Sequence, residues 1–342
     1  MPNRALIWKK LLLSALSLVA TVAGLELGAQ AWDYLAYGTR RVDGRPQGLY
    51  LSDGSPFPQL KPGAELSGLR HSVRVNALGL RGPELPRQKP PNGVRIWCVG
   101  GSTTFDIFAS DNDHTWPAVA QQKLEAALPG RTVEVINGGI PGDILEGSAR
   151  LLNRVGRNLG IDYVVVYHGP NDMRAVSGGH LVIAESAFIP LRSLELLRTA
   201  ALDRGIGTGT FPSRAPTPQA RQDLSNRLRN LERQIYAIGA RPIYASHALR
   251  IAPDADGAAL RRQAGELPAQ LQMSPASTRD WYDLWNEMML ARAQESRAPF
   301  IDVRAAVGPD AHLWGDATHF SDSGAALAGD AVATGVLEHL GR

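Results

Sequence analysis

A serine that follows two glycines at the end of an apolar run is a candidate nucleophile. In Arg95-Ile96-Trp97-Cys98-Val99-Gly100-Gly101-Ser102 an apolar run of strand type ends in a glycine pair. The pair lets the backbone turn tightly and lets neighbouring chain approach closely. A serine there stands at the carboxyl end of a strand, the edge at which open α/β sheets carry their chemistry. Three further stretches hold residues of the right types: Gly139-Ile140-Pro141-Gly142-Asp143, His168-Gly169-Pro170-Asn171-Asp172 and Asp316-Ala317-Thr318-His319. A hydroxyl nucleophile, a histidine base, an aspartate to orient it and donors for an oxyanion are the parts of serine-dependent acyl transfer. Asp111-Asn112-Asp113-His114 repeats the Asp-x-x-His spacing and lies closer to Ser102 in sequence. Spacing alone therefore leaves two candidates for the base. His168 and His247 fall at strand ends and read as hydrogen-bonded structural residues; His71, His180, His312 and His339 read as surface or loop residues.

Composition narrows the chemistry. Across 342 residues the formal net charge is only +3. The basic residues are scattered, with no aromatic-interleaved stripe of the kind that tracks nucleic acid, so no nucleic acid is expected as a partner. No His-Glu-x-x-His or cysteine pair suggests a metal, and no Gly-x-x-x-x-Gly-Lys loop suggests a nucleotide, so no cofactor is expected. The single cysteine, Cys98, lies within a strand pattern and reads as a buried small hydrophobe that cannot form an internal disulfide.

From Val94 onward the pattern alternates strands and helices. Strands are expected at Val94–Val99, Thr132–Ile136, Tyr163–Tyr167, Pro242–Ser246 and Phe300–Val303. Tyr163–Tyr167 is apolar on both faces, as a central parallel strand is. Thr115 can cap a helix with Pro117 in its first turn, followed by Trp116, Val119, Ala120, Leu124 and Leu128 on one face. Further helices are expected with Leu145, Ala149, Leu152 and Leu159 on one face, at 222–238, at 278–293 and from Ser323. This describes a three-layer α/β/α sandwich on a five-stranded parallel sheet in the flavodoxin-like order 2-1-3-4-5. All four chemistry-bearing stretches then meet at one sheet edge, and only His319 follows the last strand. Residues 173–222 and 251–278 break the alternation and read as insertions. The first is expected over the top of the sheet, with a mobile stretch at Gly205–Pro218.

The N-terminal 37 residues form a unit of their own. Arg4, Lys9 and Lys10 precede an uncharged run from Leu11 to Leu25, Glu26 interrupts it, and Trp32, Tyr34 and Tyr37 follow. This is a transmembrane helix with interfacial aromatics, or a signal peptide cut after Ala29-Gln30-Ala31. We favour the uncleaved anchor. Residues 38–93, rich in Gly, Pro and Arg, read as an irregular lead segment with a short strand near 71–75. Within it Asn76–Gly82 forms a turn packed on the main domain of residues 94–342.

In these four blocks the chain resembles the SGNH, or GDSL-like, hydrolases, over about residues 94–342. Their blocks supply Ser, Gly, Asn and His in this order. Gly100-Gly101-Ser102 stands where Gly-Asp-Ser is frequent, and Asn76–Gly82 with the N-terminal helix is similar to a membrane-anchored bacterial branch. The resemblance implies that Ser102 attacks an ester carbonyl, His319 takes its proton and Asp316 orients the imidazole. It also implies an oxyanion hole of the Ser102 and Gly142 N–H groups and the Asn171 amide. The function expected is an exported serine esterase removing acyl groups, acetyl among them, from an envelope carbohydrate or lipid. Its catalytic domain would lie outside the cytoplasm, held to the cell membrane by the N-terminal helix or released after signal cleavage. An O-acyltransferase on an envelope glycan and a catalytically idle binding subunit are the alternatives. A mobile cover admits water, and only one span is available to an acyl donor, so hydrolysis is expected over transfer.

Overall fold

The computed structural model describes residues 4–42, 45–51, 54–178, 191–204, 206 and 211–340. Its centre is a parallel sheet of Val94–Gly100 (β1), Val133–Gly139 (β2), Tyr163–Tyr167 (β3), Arg241–Ala245 (β4) and Phe300–Ile301 (β5). The strand order is β2-β1-β3-β4-β5, the order expected from the sequence. All seven residues of β1 are buried, because helices cover both sheet faces. The two-residue period sends Ile96 and Cys98 to one face and Trp97 and Val99 to the other. Burial also pushes the Cys98 thiol pKa well up, so the group stays protonated.

The helices in chain order are Arg4–Tyr37 (α1), Ser102–Phe105 (α2), Trp116–Ala127 (α3), Leu145–Arg154 (α4), Pro170–Val176 (α5) and Arg192–Asp203 (α6). They continue with Pro218–Ala237 (α7), Gly257–Ala264 (α8), Leu267–Leu271 (α9), Pro275–Ser296 (α10), Val303–Val307 (α11) and Asp322–Leu340 (α12). Residues of α3, α11 and α12 join one face of the sheet in a core around Trp116, Tyr167 and Phe320. Those of α4, α7 and α10 join the other around Trp97, Trp281 and Trp285. The Thr115 side chain accepts the Ala118 N–H and caps α3, as its position before Pro117 suggests. The helical period over-reads α4. That helix stops at Arg154, and Leu159 is buried after a separate 3₁₀ turn at Gly156–Asn158. Likewise β5 ends at Ile301, because Asp302 turns its side chain to cap α11.

The segment before the sheet is more ordered than its composition suggests. Glu65–Ser67 and Ser72–Arg74 form an antiparallel hairpin. Asn76 Oδ1 accepts the N–H groups of Leu78 and Leu80 at 3.0 and 3.1 Å, closing a turn with Gly79 at φ +77°. The turn delivers Arg81 into the domain, where its guanidinium donates to the carbonyls of Phe105, Asp106, Ser72 and Asp111 and to Asn112 Oδ1. Those acceptors belong largely to the loop after α2, so Arg81 fixes the floor of the sheet edge. Of the first long insertion, α6 packs on α1 and α8; His180 and, within Gly205–Pro218, residues 205 and 207–210 fall outside the described residues. The second insertion contributes Leu260, Ala264, Leu267, Leu271 and Met273 to the core.

Replacing Arg81 with Ala leaves these buried acceptors unpaired and removes the charge facing buried Asp106. It should lower unfolding free energy by about 3–5 kcal/mol, read from the urea midpoint. A change under about 0.5 kcal/mol, the range of an ordinary surface substitution, would contradict this role.

Candidate active site

Sheet register sets the site. Gly100 of β1 pairs with Gly139 of β2 and with Tyr167 of β3. Ser102, Gly142 and Asn171 therefore leave three adjacent strands at one level. The glycine pair is required by close approach rather than by a left-handed backbone. A Cβ on Gly100 would lie 2.0 Å from Thr104 Oγ1 and 2.3 Å from the Tyr167 carbonyl, and one on Gly101 would lie 2.8 Å from Asn171 Nδ2. Gly142 does take φ +86°, a conformation that an L side chain rarely adopts.

Ser102 opens α2, which is held from three sides. Thr104 Oγ1 donates to the Tyr167 carbonyl at 3.0 Å, and Trp116 Nε1 donates to the Thr103 carbonyl at 3.0 Å. His247 Nε2 meets Thr103 Oγ1 at 3.2 Å while its ring stacks on Tyr167. Burial pulls the His247 pKa down to about 3, so it is neutral and structural.

His319 Nε2 lies 2.7 Å from Ser102 Oγ, and its Nδ1 lies 2.7 Å from Asp316 Oδ2. Asp316 Oδ1 accepts the backbone N–H groups of Thr318 and His319, both at 2.8 Å. The Asp-x-x-His spacing is thus one tight turn in which the carboxylate is bonded to backbone and imidazole together. Burial would raise the Asp316 pKa. The charge and hydrogen bond of His319 and the two N–H donors outweigh it and hold the carboxyl below its ordinary range. For His319, burial lowers the pKa, and the Asp316 charge and hydrogen bond outweigh it to raise it. The other Asp-x-x-His, Asp111 and His114, forms an exposed ion pair at 2.7 Å and donates nothing to Ser102 among the described contacts.

Asn171 Nδ2 donates to the Asp143 carbonyl at 2.9 Å, leaving its second amide hydrogen free. With Gly101, Ser102 and Gly169 it lines a cavity of about 10 Å³, room for one water or one oxygen atom. Beneath it runs a buried polar network in which His168 takes the hydrogen-bonded structural place expected of it, with Ser148 and two aspartates as partners the sequence patterns did not show. Asp172 Oδ1 accepts the Leu145 N–H at 2.8 Å, and Asp172 Oδ2 meets His168 Nδ1 at 3.0 Å. His168 Nε2 meets Ser148 Oγ at 2.9 Å, and Ser148 donates to Asp143 Oδ2 at 3.1 Å. Burial pushes the Asp143 pKa up to about 7. The network ties α4 and α5 together, and with them the segments carrying Gly142 and Asn171.

A second support reaches His319 from the lead segment. The Phe108 ring lies 5.8 Å from the His319 ring and occupies the space that a Cβ on Gly315 would fill. His71, expected on the surface, is instead half-buried: it stacks on Tyr37 of α1 at 5.0 Å and meets Phe108 edge-on at 6.2 Å. A lone histidine in an irregular stretch carries no sequence signal for such packing.

The family model described as GDSL-like Lipase/Acylhydrolase family matches residues 98–327. No curated protein matches the chain. Solved structures similar to it include the psychrotrophic esterase EstA from Pseudoalteromonas sp., at 13% identity, covering 72% of this chain and 99% of that one, with a TM-score of 0.46. A catalytic mutant of an acetylxylan esterase from Geobacillus stearothermophilus is similar at 14% identity, 71% and 94% coverage and a TM-score of 0.45. A GDSL-like lipase from Bacteroides thetaiotaomicron is similar at 13% identity, 72% and 88% coverage and a TM-score of 0.40. The family match spans well over half of the chain, including all five sheet strands but the start of the first: this protein belongs to the GDSL-like lipase/acylhydrolase family and is a hydrolase of ester bonds.

Proposed function

We propose that this protein is an exported serine esterase that removes acyl groups, acetyl among them, from an envelope carbohydrate or lipid. The observation that carries the mechanism is the unbroken hydrogen-bonded chain Asp316–His319–Ser102. In this reading Ser102 Oγ attacks the ester carbonyl as His319 Nε2 accepts its proton. The carbonyl oxygen becomes an oxyanion facing the N–H groups of Ser102 and Gly142 and the free amide hydrogen of Asn171. Collapse breaks the ester C–O bond, and His319 returns the proton to the departing alcohol. Water then attacks the acyl-serine with His319 again as base, releasing a carboxylic acid and restoring Ser102. Asp316 stabilises the imidazolium formed in each half-reaction.

Export and anchoring rest on α1, which from Leu6 to Tyr37 is long and apolar enough to cross a bilayer or to act as a signal sequence. We read it as an anchor that holds the catalytic domain outside the cytoplasmic membrane, because the domain grips α1 even ahead of Ala29-Gln30-Ala31: Glu26 accepts the Ser193 N–H and hydroxyl at 3.0 and 3.1 Å, and the turns beyond are built in further. Asp33 is buried and pairs with Arg192 of α6 through two hydrogen bonds of 2.8 and 3.0 Å. The Ala36 carbonyl accepts the Arg70 and His71 N–H groups at 3.0 and 3.2 Å.

Three outcomes test the mechanism. Ser102→Ala should abolish turnover of a chromogenic acetyl ester while circular dichroism stays unchanged; retained turnover would remove Ser102 from the reaction. Asn171→Ala should lower kcat by about 10²–10³ with little change in KM, and Gly101→Ala, whose Cβ displaces the same amide, should shift kcat in the same direction. A pure KM effect would make Asn171 a substrate-binding group instead.

The third outcome is a pH profile. Only neutral imidazole accepts a proton, and Asp316 holds the His319 pKa above its ordinary value of about 6.5. Activity should therefore fall as pH drops through that raised value. Asp316→Asn should move the acidic limb to lower pH while reducing the rate; a limb that stays in place would contradict the assignment of His319 as the base.

A further inference from the structure

Outside α1, the most exposed large apolar side chains among the described residues are Leu69 (83%), Leu197 (65%), Ile206 (62%) and Leu194 (56%). They are not scattered. Leu69 donates its N–H to the Leu35 carbonyl of α1, and Leu194 and Leu197 lie on α6, which packs against α1. Ile206 follows α6 directly. The apolar side chains left most open to solvent thus belong to two segments bound to one helix, an apolar collar in sequence that also carries exposed Arg70, Arg198 and Arg204.

The length of the apolar stretch says what covers this collar. Leu11–Leu25 is uncharged, and 15 residues of helix rise only about 22 Å, short of a hydrocarbon layer about 30 Å thick. With Lys9 and Lys10 snorkelling to the near headgroups, the span that begins at Leu6 reaches the far headgroups near Glu26, beside the turns against which α6 packs. Glu26 is provided for at that depth. Its carboxylate accepts the Ser193 N–H and hydroxyl at 3.0 and 3.1 Å, and also Gln30 Nε2 at 2.7 Å. The start of α6 is thereby pinned to the level where apolar core gives way to headgroups. Leucines beside arginines are the composition of an interfacial helix, and the arginines suit anionic headgroups.

We propose that α6 and the loop at Leu69 rest in the headgroup layer of the bilayer that α1 enters, so that the catalytic domain is seated on the membrane rather than tethered above it. This rests on the reading of α1 as a membrane span. The seat deepens the functional reading, because acyl groups carried at the lipid surface become the substrates nearest the site. The Tyr37–His71–Phe108–His319 series of ring contacts runs from the end of α1 to the base itself.

The test uses the full chain in vesicles of phosphatidylethanolamine and phosphatidylglycerol. Cys98 is fully buried, so single added cysteines take an environment-sensitive fluorophore selectively. Labels at Leu69→Cys and Leu197→Cys should shift to the blue on reconstitution and lose most of their emission to a shallow spin-labelled lipid. A label at Leu327→Cys, on α12, should do neither, and one at Val19→Cys should be quenched only by a deep spin label. Aqueous labels at 69 and 197 beside a deep label at 19 would overturn the seat and leave the span standing. An aqueous label at 19 would instead overturn the span, and the seat with it. Shielding at 69 and 197 that persists in lipid-free detergent and grows with protein concentration would assign the collar to a second copy, which also overturns the proposal.

Discussion

The contact between His319 Nε2 and Ser102 Oγ joins residues 217 positions apart in the chain. A hydrogen bond of this kind has useful geometry only within a few tenths of an ångström. Each side must therefore be fixed by something stiffer than a surface loop. Ser102 is fixed by the end of β1 and by three hydrogen-bonded neighbours of α2. His319 is fixed by the Asp316 turn, whose carboxylate meets two backbone donors and the imidazole. Burying that carboxylate costs free energy that only such pairing offsets. The turn is thus held by the same bonds that hold the imidazole ready, and local stability and chemical readiness are not separable there.

On the opposite side of the cavity the same logic recurs with different residues. Gly142 and Asn171 sit on segments that follow different strands, each tied to the core by a neighbouring apolar side chain, Ile140 and Met173. The Asp143–Ser148–His168–Asp172 network supplies what packing does not. It is buried and directional, and its bonds have partners at nearly every step; Asp143 Oδ1 is the one buried atom in it without a partner among the described residues. Partly satisfied polar networks are costly, and this one lies directly beneath the Asn171 amide. Its mutual hydrogen bonds are the physical reason a histidine and two aspartates are tolerated in the interior at this point.

What could be read from the sequence was local. The β1 run, the Thr115 cap, the both-face apolar Tyr163–Tyr167 and the strand order all follow from short-range pattern and general α/β topology. The stretches that hold Ser102, Gly142, Asn171, Asp316 and His319 were legible because strand ends in a parallel sheet converge, whatever the intervening chain; the choice of residue and role within each came from the resemblance to the GDSL-like hydrolases. Contacts made by single residues across long separations left no pattern. Arg81 looks like any arginine in a Gly- and Pro-rich stretch, His71 like a surface histidine, and Phe108 like a loop aromatic. The Asp33–Arg192 pair joins residues 159 positions apart, with no period at either end. Spacing misleads too: Asp111–His114 and Asp316–His319 share one spacing, and only the second lies at the end of the sheet beside Ser102.

In the proposed mechanism Ser102 is the nucleophile and His319 activates it. The most direct measurement is reaction of the full chain with a fluorophosphonate, followed by peptide mass spectrometry. One adduct is expected, on Ser102, whose rate of formation collapses in His319→Ala and is unchanged in His114→Ala. An adduct on another serine, or labelling of Ser102 that does not depend on His319, would contradict it.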